Sequence, residues 1–62
     1  MLFTARDAND ELLITGQQVR YLDPTEYCFS VGIIIDIYAN QVVVISGPTG
    51  IVKSDAALCE IV

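Results

Sequence analysis

Asp36 is the single charge in the apolar run spanning residues 31–45. A carboxyl in such surroundings is a candidate general acid with a raised pKa. Cys28, set between Tyr27 and Phe29, is the other candidate, as a nucleophile. Both lack a chemical partner. The chain has no histidine, so neither a triad nor an imidazole base is available. The remaining carboxylates are Asp7, Asp10, Glu11, Asp23, Glu26, Asp55 and Glu60, scattered through expected turns and ends without a pair at defined spacing. Asp36 therefore reads as an outward residue marking a solvent side, and Cys28 as a packed loop thiol. Two cysteines without histidine fall short of the roughly four ligands of a closed zinc site. Residues 46–50, Ser-Gly-Pro-Thr-Gly, lack the Gly-Lys-Ser/Thr ending of a phosphate loop and read as a turn. The expectation is a non-enzymatic chain with no cofactor and no metal site.

Recognition is the remaining chemistry. Tyr21, Tyr27, Phe29 and Tyr38 could form an aromatic platform, but base stacking needs basic neighbours and only Arg20 qualifies. A peptide groove lined by Tyr27, Phe29 and Tyr38, with Asp23 and Glu26 beside it, is the alternative. The net charge of −5 repels phosphate backbones and suits neutral or basic protein partners. More than half of the residues are hydrophobic, a high fraction for 62 residues. So small a domain has a marginal core, and some apolar side chains must lie on its surface, where a protein partner would cover them.

The elements that must position these residues are short strands. Residues 17–22 read as a first strand, with Val19 and Tyr21 on one face and Arg20 and Leu22 on the other. Asp23-Pro24-Thr25-Glu26 reads as a turn, with Asp23 free to bond the backbone ahead. Residues 27–30 read as an irregular loop, and Gly32 as a bulge or close backbone approach. The next two strands form a hairpin, with Ala39-Asn40 as a two-residue loop. In that register Ile33, Ile35, Ile37, Val42 and Val44 face the core. Ile34, Asp36, Tyr38, Val43 and Ile45 face outward. A three-residue loop would shift the register by one and exchange the faces of one strand.

A turn at 46–50, a short strand at 51–53, a 3₁₀ turn at 54–57 capped by Ser54 or Asp55, and a last strand at 58–62 complete the chain. Five short strands with tight turns predict an all-β fold, a small five-stranded barrel over residues 16–62. Residues 1–15 read as a short N-terminal arm or a helical turn over 7–13. Nothing at the N-terminus resembles a signal peptide, so Cys28 and Cys59 are expected as free thiols and the chain as cytoplasmic or virion-associated. No apolar run approaches the roughly 20 residues that span a bilayer, so no membrane insertion is expected.

Gly16-Gln17-Gln18-Val19-Arg20, Val31-Gly32-Ile33-Ile34, Gln41-Val42-Val43-Val44 and the terminal Leu58-Cys59-Glu60-Ile61-Val62 together resemble an SH3-like barrel with a KOW-type core. The chain is similar in this respect to small barrel proteins of tailed bacteriophages. That resemblance implies an accessory or structural role in a larger assembly. Val19-Arg20-Tyr21-Leu22, the following proline, Glu26-Tyr27 and Val31-Gly32 are also similar to a family of small peripheral barrel proteins of photosystem I. That family carries a tryptophan where this chain has Cys28, and basic docking residues where this chain is acidic. KOW modules are basic where they touch RNA, so the acidic balance argues against a nucleic-acid partner.

The expected function is protein–protein association or self-association. The expected contact residues are Ile34, Asp36, Tyr38, Val43 and Ile45, joined by Tyr27 and Phe29. A KOW-like nucleic-acid-associated module and a peripheral component of the photosystem I type are the alternatives.

Overall fold

The computed structural model describes residues 3–62. Among them seven strands run in chain order: β1 (Ala5–Arg6), β2 (Leu12–Leu13), β3 (Gln18–Asp23), β4 (Cys28–Tyr38), β5 (Val42–Gly47), β6 (Gly50–Asp55) and β7 (Glu60–Ile61). A 3₁₀ turn, Ala56–Leu58, precedes β7, and the Asp55 side chain caps it by accepting from Ala57 N. β1 and β2 form a small sheet, and the other five form one antiparallel sheet in the order β6-β5-β4-β3-β7. The all-β expectation holds. The edges β6 and β7 are not paired, so the expected closed barrel is not made. Among the described residues no helix is long and apolar enough to cross a membrane.

The expected loop at 27–30 is largely strand, because β4 begins at Cys28 and pairs along the whole of β3. Turn chemistry at Asp23 works as its sequence suggests. Its Oδ1 accepts from Thr25 N at 2.8 Å and more weakly from Glu26 N. Its backbone carbonyl accepts from Tyr27 N, which sits at φ 54° to end the turn.

The N-terminal segment is neither a loose arm nor a helical turn; residues 5–13 form a hairpin. Asp7 decides this, because a carboxylate beside backbone donors can compete with helix formation. Its Oδ1 accepts from Asn9 N and Glu11 N, and its Oδ2 accepts from Ile61 N at 3.2 Å. Ala8 N donates to the Cys59 carbonyl. These bonds hold the hairpin on β7 and place Ala5 and Leu13 in the core. The strand considered at 2–4 lies partly outside the described residues.

The β4–β5 hairpin departs from the expected register at two places. Its loop has three residues, since Tyr38 pairs with Val42. Asn40 and Gln41 both take left-handed conformations, at φ 64° and 63°. Such a backbone is costly for Gln41, and long-range bonds hold it there. The Gln41 carbonyl accepts from Ala56 N at 2.7 Å, and its Oε1 accepts from Arg6 N at 3.0 Å. The loop therefore ties the hairpin to the 3₁₀ turn and to β1.

The second departure is a bulge. Ile37 pairs with Val43 and Asp36 with Val44, but Ile34 pairs with Ile45 and Ile33 with Ser46. Ile35 is the extra residue between them. Ile35 and Asp36 both lie on the exposed side, so Ile34 and Ile37 can both point inward.

The inner face follows from this register. Val19, Tyr21, Ile34, Val43 and Ile45 join Ala5, Leu13, Ala56 and Cys59 in one buried cluster, with Ile37, Val52 and Ile61 packed at its margin. The two-residue loop places Ile34, Val43 and Ile45 outside and Ile33 and Ile35 inside; the structure reverses both. Ile45 is 0% exposed, whereas Ile33 and Ile35 are 40% and 46% exposed. Each buried aliphatic contributes about 1.5–3 kcal/mol relative to an exposed one.

Two glycines serve close packing. A Cβ on Gly32 would lie 2.7 Å from both Ile45 Cγ2 and the Ser46 carbonyl, and one on Gly47 would collide with Tyr21 Oη.

Candidate functional site

The side of the sheet turned away from the core is unusually apolar. In register it presents Arg20 and Leu22 from β3 and Phe29, Val31, Ile33 and Ile35 from β4. Val44 and Ser46 follow from β5, and Ile51 and Lys53 from β6. Leu22 lies opposite Phe29, Arg20 opposite Val31, and Ile33 opposite Ser46, which in turn faces Ile51. Phe29 and Ile51 are the most open of these apolar side chains, at 63% and 69% exposure. β-Branched residues fit a pleated surface wherever they point, so strand propensity is satisfied without burial. The patch exceeds what a few scattered surface hydrophobics produce, and contiguous patches beyond a few hundred Å² mark interaction sites.

Charge on this face is sparse and engaged. Arg20 reaches Glu60 at 2.7 Å and lies over the Phe29 ring, 5.1 Å from its centroid. Lys53 Nζ lies 5.4 Å from the Tyr38 ring centroid. Asp36 is exposed, and its Oδ1 accepts from the adjacent Ile37 N. That placement gives it no apolar enclosure of the kind a general acid needs.

At the Tyr38 end the face runs into an open groove of about 480 Å³. Phe3, Leu12 and Ile14 from the N-terminal hairpin form one wall, and Asp36, Ile37 and Tyr38 form the other.

Of the residues expected to contact a partner, Asp36, Tyr38, Tyr27 and Phe29 are exposed, and Ile34, Val43 and Ile45 are buried. The expected aromatic groove is not assembled. Phe29 and Tyr38 stand nine residues apart on β4, up to about 30 Å along a strand. Tyr27 projects from the turn before it, and Tyr21 is wholly buried. Asp23 is not beside any groove either. It is buried, and its Oδ2 accepts from Thr49 Oγ1 at 2.7 Å, joining the β3–β4 turn to the β5–β6 turn. Sequence reasoning misses Val31, Ile33, Ile35 and Ile51. The outward placement of Leu22, carried across to β4 by strand pairing, is the signal that points to them.

The buried polar groups are structural. The Thr49 hydroxyl bond, then the Thr25 amide, lower the Asp23 carboxyl pKa against the opposing effect of burial. For Asp7 burial is the largest influence and raises the pKa, but the Glu11, Ile61 and Asn9 amides together outweigh it and leave the value lowered. Burial, with the Asp23 and Cys28 charges behind it, raises the Tyr21 phenol. Its Oη is buried without a hydrogen-bond partner among the described residues. Cys28 is exposed and Cys59 buried, and both are free thiols. Burial is the main cause that pushes the Cys59 thiol up. Among the described residues no group of three or more histidine, cysteine or carboxylate side chains could hold a metal ion. Compared with known proteins, the chain matches no family model, no curated protein and no solved structure.

Proposed function

We propose that this chain is a non-enzymatic protein-association module: a small structural or adaptor component of a larger assembly, of the phage accessory or virion type. The observation that carries this reading is the exposed apolar outer face of the five-stranded sheet. An SH3-like barrel remains the architecture we favour. The meander order β6-β5-β4-β3-β7 and the 3₁₀ turn before the last strand support it. The contact surface is revised from the buried Ile34, Val43 and Ile45 to Leu22, Phe29, Val31, Ile33, Ile35 and Ile51, with Asp36 and Tyr38 retained at one end.

Native mass measurement of the chain isolated from its own source, without dissociating conditions, tests this. The wild-type chain should run in a larger assembly, and Phe29→Asp should release it as a folded single chain. A lone chain in both cases overturns the reading. Retention on a polynucleotide that weakens with salt would instead support a KOW-like nucleic-acid module.

A further inference from the structure

We infer that the occupant of the outer sheet face is a second copy of this chain, packed sheet against sheet about a two-fold axis. This deepens the association reading above and rests on it. Charge distribution carries the choice of partner. The outer face holds two of the three basic residues, Arg20 and Lys53, against three carboxylates, Asp36, Asp55 and Glu60. The rest of the molecule holds Arg6 against five: Asp7, Asp10, Glu11, Asp23 and Glu26. Nearly all of the net charge of −5 therefore lies away from this face.

Two identical acidic molecules repel wherever their charged surfaces meet, and this face is where that repulsion is least. A partner chosen by electrostatic attraction would sit on the acidic surfaces instead. What complements a charge-poor apolar sheet is another such sheet, and an isologous pairing supplies it from the same sequence.

The dimensions agree. Stacked sheets lie about 10 Å apart, and their inner faces interdigitate much as this face's β-branched side chains would. Leu22, Phe29, Val31, Ile33, Ile35 and Ile51 together expose on the order of several hundred Å², the apolar centre of an interface that buries about 800 Å² per partner. Arg20, tied to Glu60, and Lys53, laid on Tyr38, hold their charges toward the margins. Polar rims around apolar centres are the usual anatomy of such contacts.

Sedimentation equilibrium of the purified chain, alone, tests this across micromolar concentrations at low and high salt. We expect a dimer that high salt does not weaken. Ile33→Lys should lower the association constant by at least about 100-fold, because the two-fold axis places the substitution in the contact twice. Ile51→Lys, at the more open edge of the face, should also weaken it, and Glu11→Lys, on the acidic side, should not. Circular dichroism of each variant establishes that it is folded. If Ile33→Lys does not fold, Ile51→Lys decides. A wild-type monomer at several hundred micromolar overturns the second copy as occupant. A dimer that survives both outer-face substitutions overturns the face. If the purified chain is monomeric while the chain from its own source still runs in an assembly released by Phe29→Asp, the association reading stands and only the self-pairing fails.

Discussion

The two faces of the β4–β5 hairpin are made of the same residue types and do opposite things. Ile34, Ile37, Val43 and Ile45 point inward, and Ile33, Ile35 and Val44 point outward. Ile34 is 1% exposed, and its neighbour Ile33 is forty times more so. Side-chain chemistry does not separate the faces. Position relative to the bulge and loop does, because one residue of slippage moves every side chain to the other side. The inner face is covered by the chain's own N-terminal hairpin and 3₁₀ turn, through Ala5, Leu13 and Ala56. The outer face has no such cover among the described residues, which makes it the surface we propose for association.

The sharpest way to break this comparison is to put the same charge on each face. Ile45→Lys buries an unpaired ammonium, at a cost of more than about 4 kcal/mol, comparable to the whole stability of a domain this size. The chain should lose its β-sheet circular dichroism. Ile33→Lys should change the unfolding free energy of the dilute chain by no more than about 0.5 kcal/mol, as open surface positions do. A loss of several kcal/mol there would mean that the faces are assigned the wrong way round.

The bulge offers a subtler test. Deleting Ile35 leaves Tyr38 opposite Val42, Ile37 opposite Val43, Asp36 opposite Val44 and Ile34 opposite Ile45, so the inner set is kept without a bulge. Denaturant unfolding should show a folded chain, weakened by about 1–2 kcal/mol through lost twist. Deleting Val44 has no such escape. It brings Val43 and Ile45 next to each other and turns one of them outward, so that variant should unfold. Equal damage from both deletions would refute the placement of the bulge at Ile35.

The smallest effect concerns what holds the inner face in place. Asp7 and Asp23 have lowered pKa values. The stability each contributes is therefore fully present above the ordinary unfolded carboxylate value near pH 4, and is lost as pH falls through the lower folded value. Thermal melts should show a midpoint that falls as pH drops below about 4. The slope in Asp23→Asn should be shallower, leaving the part due to Asp7. An unchanged slope would remove Asp23 as a source of acid sensitivity.

Strand chemistry, turns and caps are legible in residue order because they are local. Alternation separates Val19 and Tyr21 from Arg20 and Leu22, Asp23 reaches its own turn amides, Gly32 allows close approach, and Asp55 caps the 3₁₀ turn. The surplus of apolar side chains over what one small core can bury is legible as well. Which face carries that surplus is not. A two-residue loop at Ala39-Asn40 is the better local choice, and it loses because Gln41 is held by Ala56 and Arg6, far away in sequence. Asp7 likewise forms a hairpin rather than a helical turn because Ile61 and Cys59 lie alongside it.

The amino-acid sequence by itself determined an all-β chain of short strands with more apolar surface than interior. Only the tertiary structure decided which isoleucines form the core and which remain outside. Local geometry is a property of neighbouring residues, whereas register depends on bonds between residues tens of positions apart.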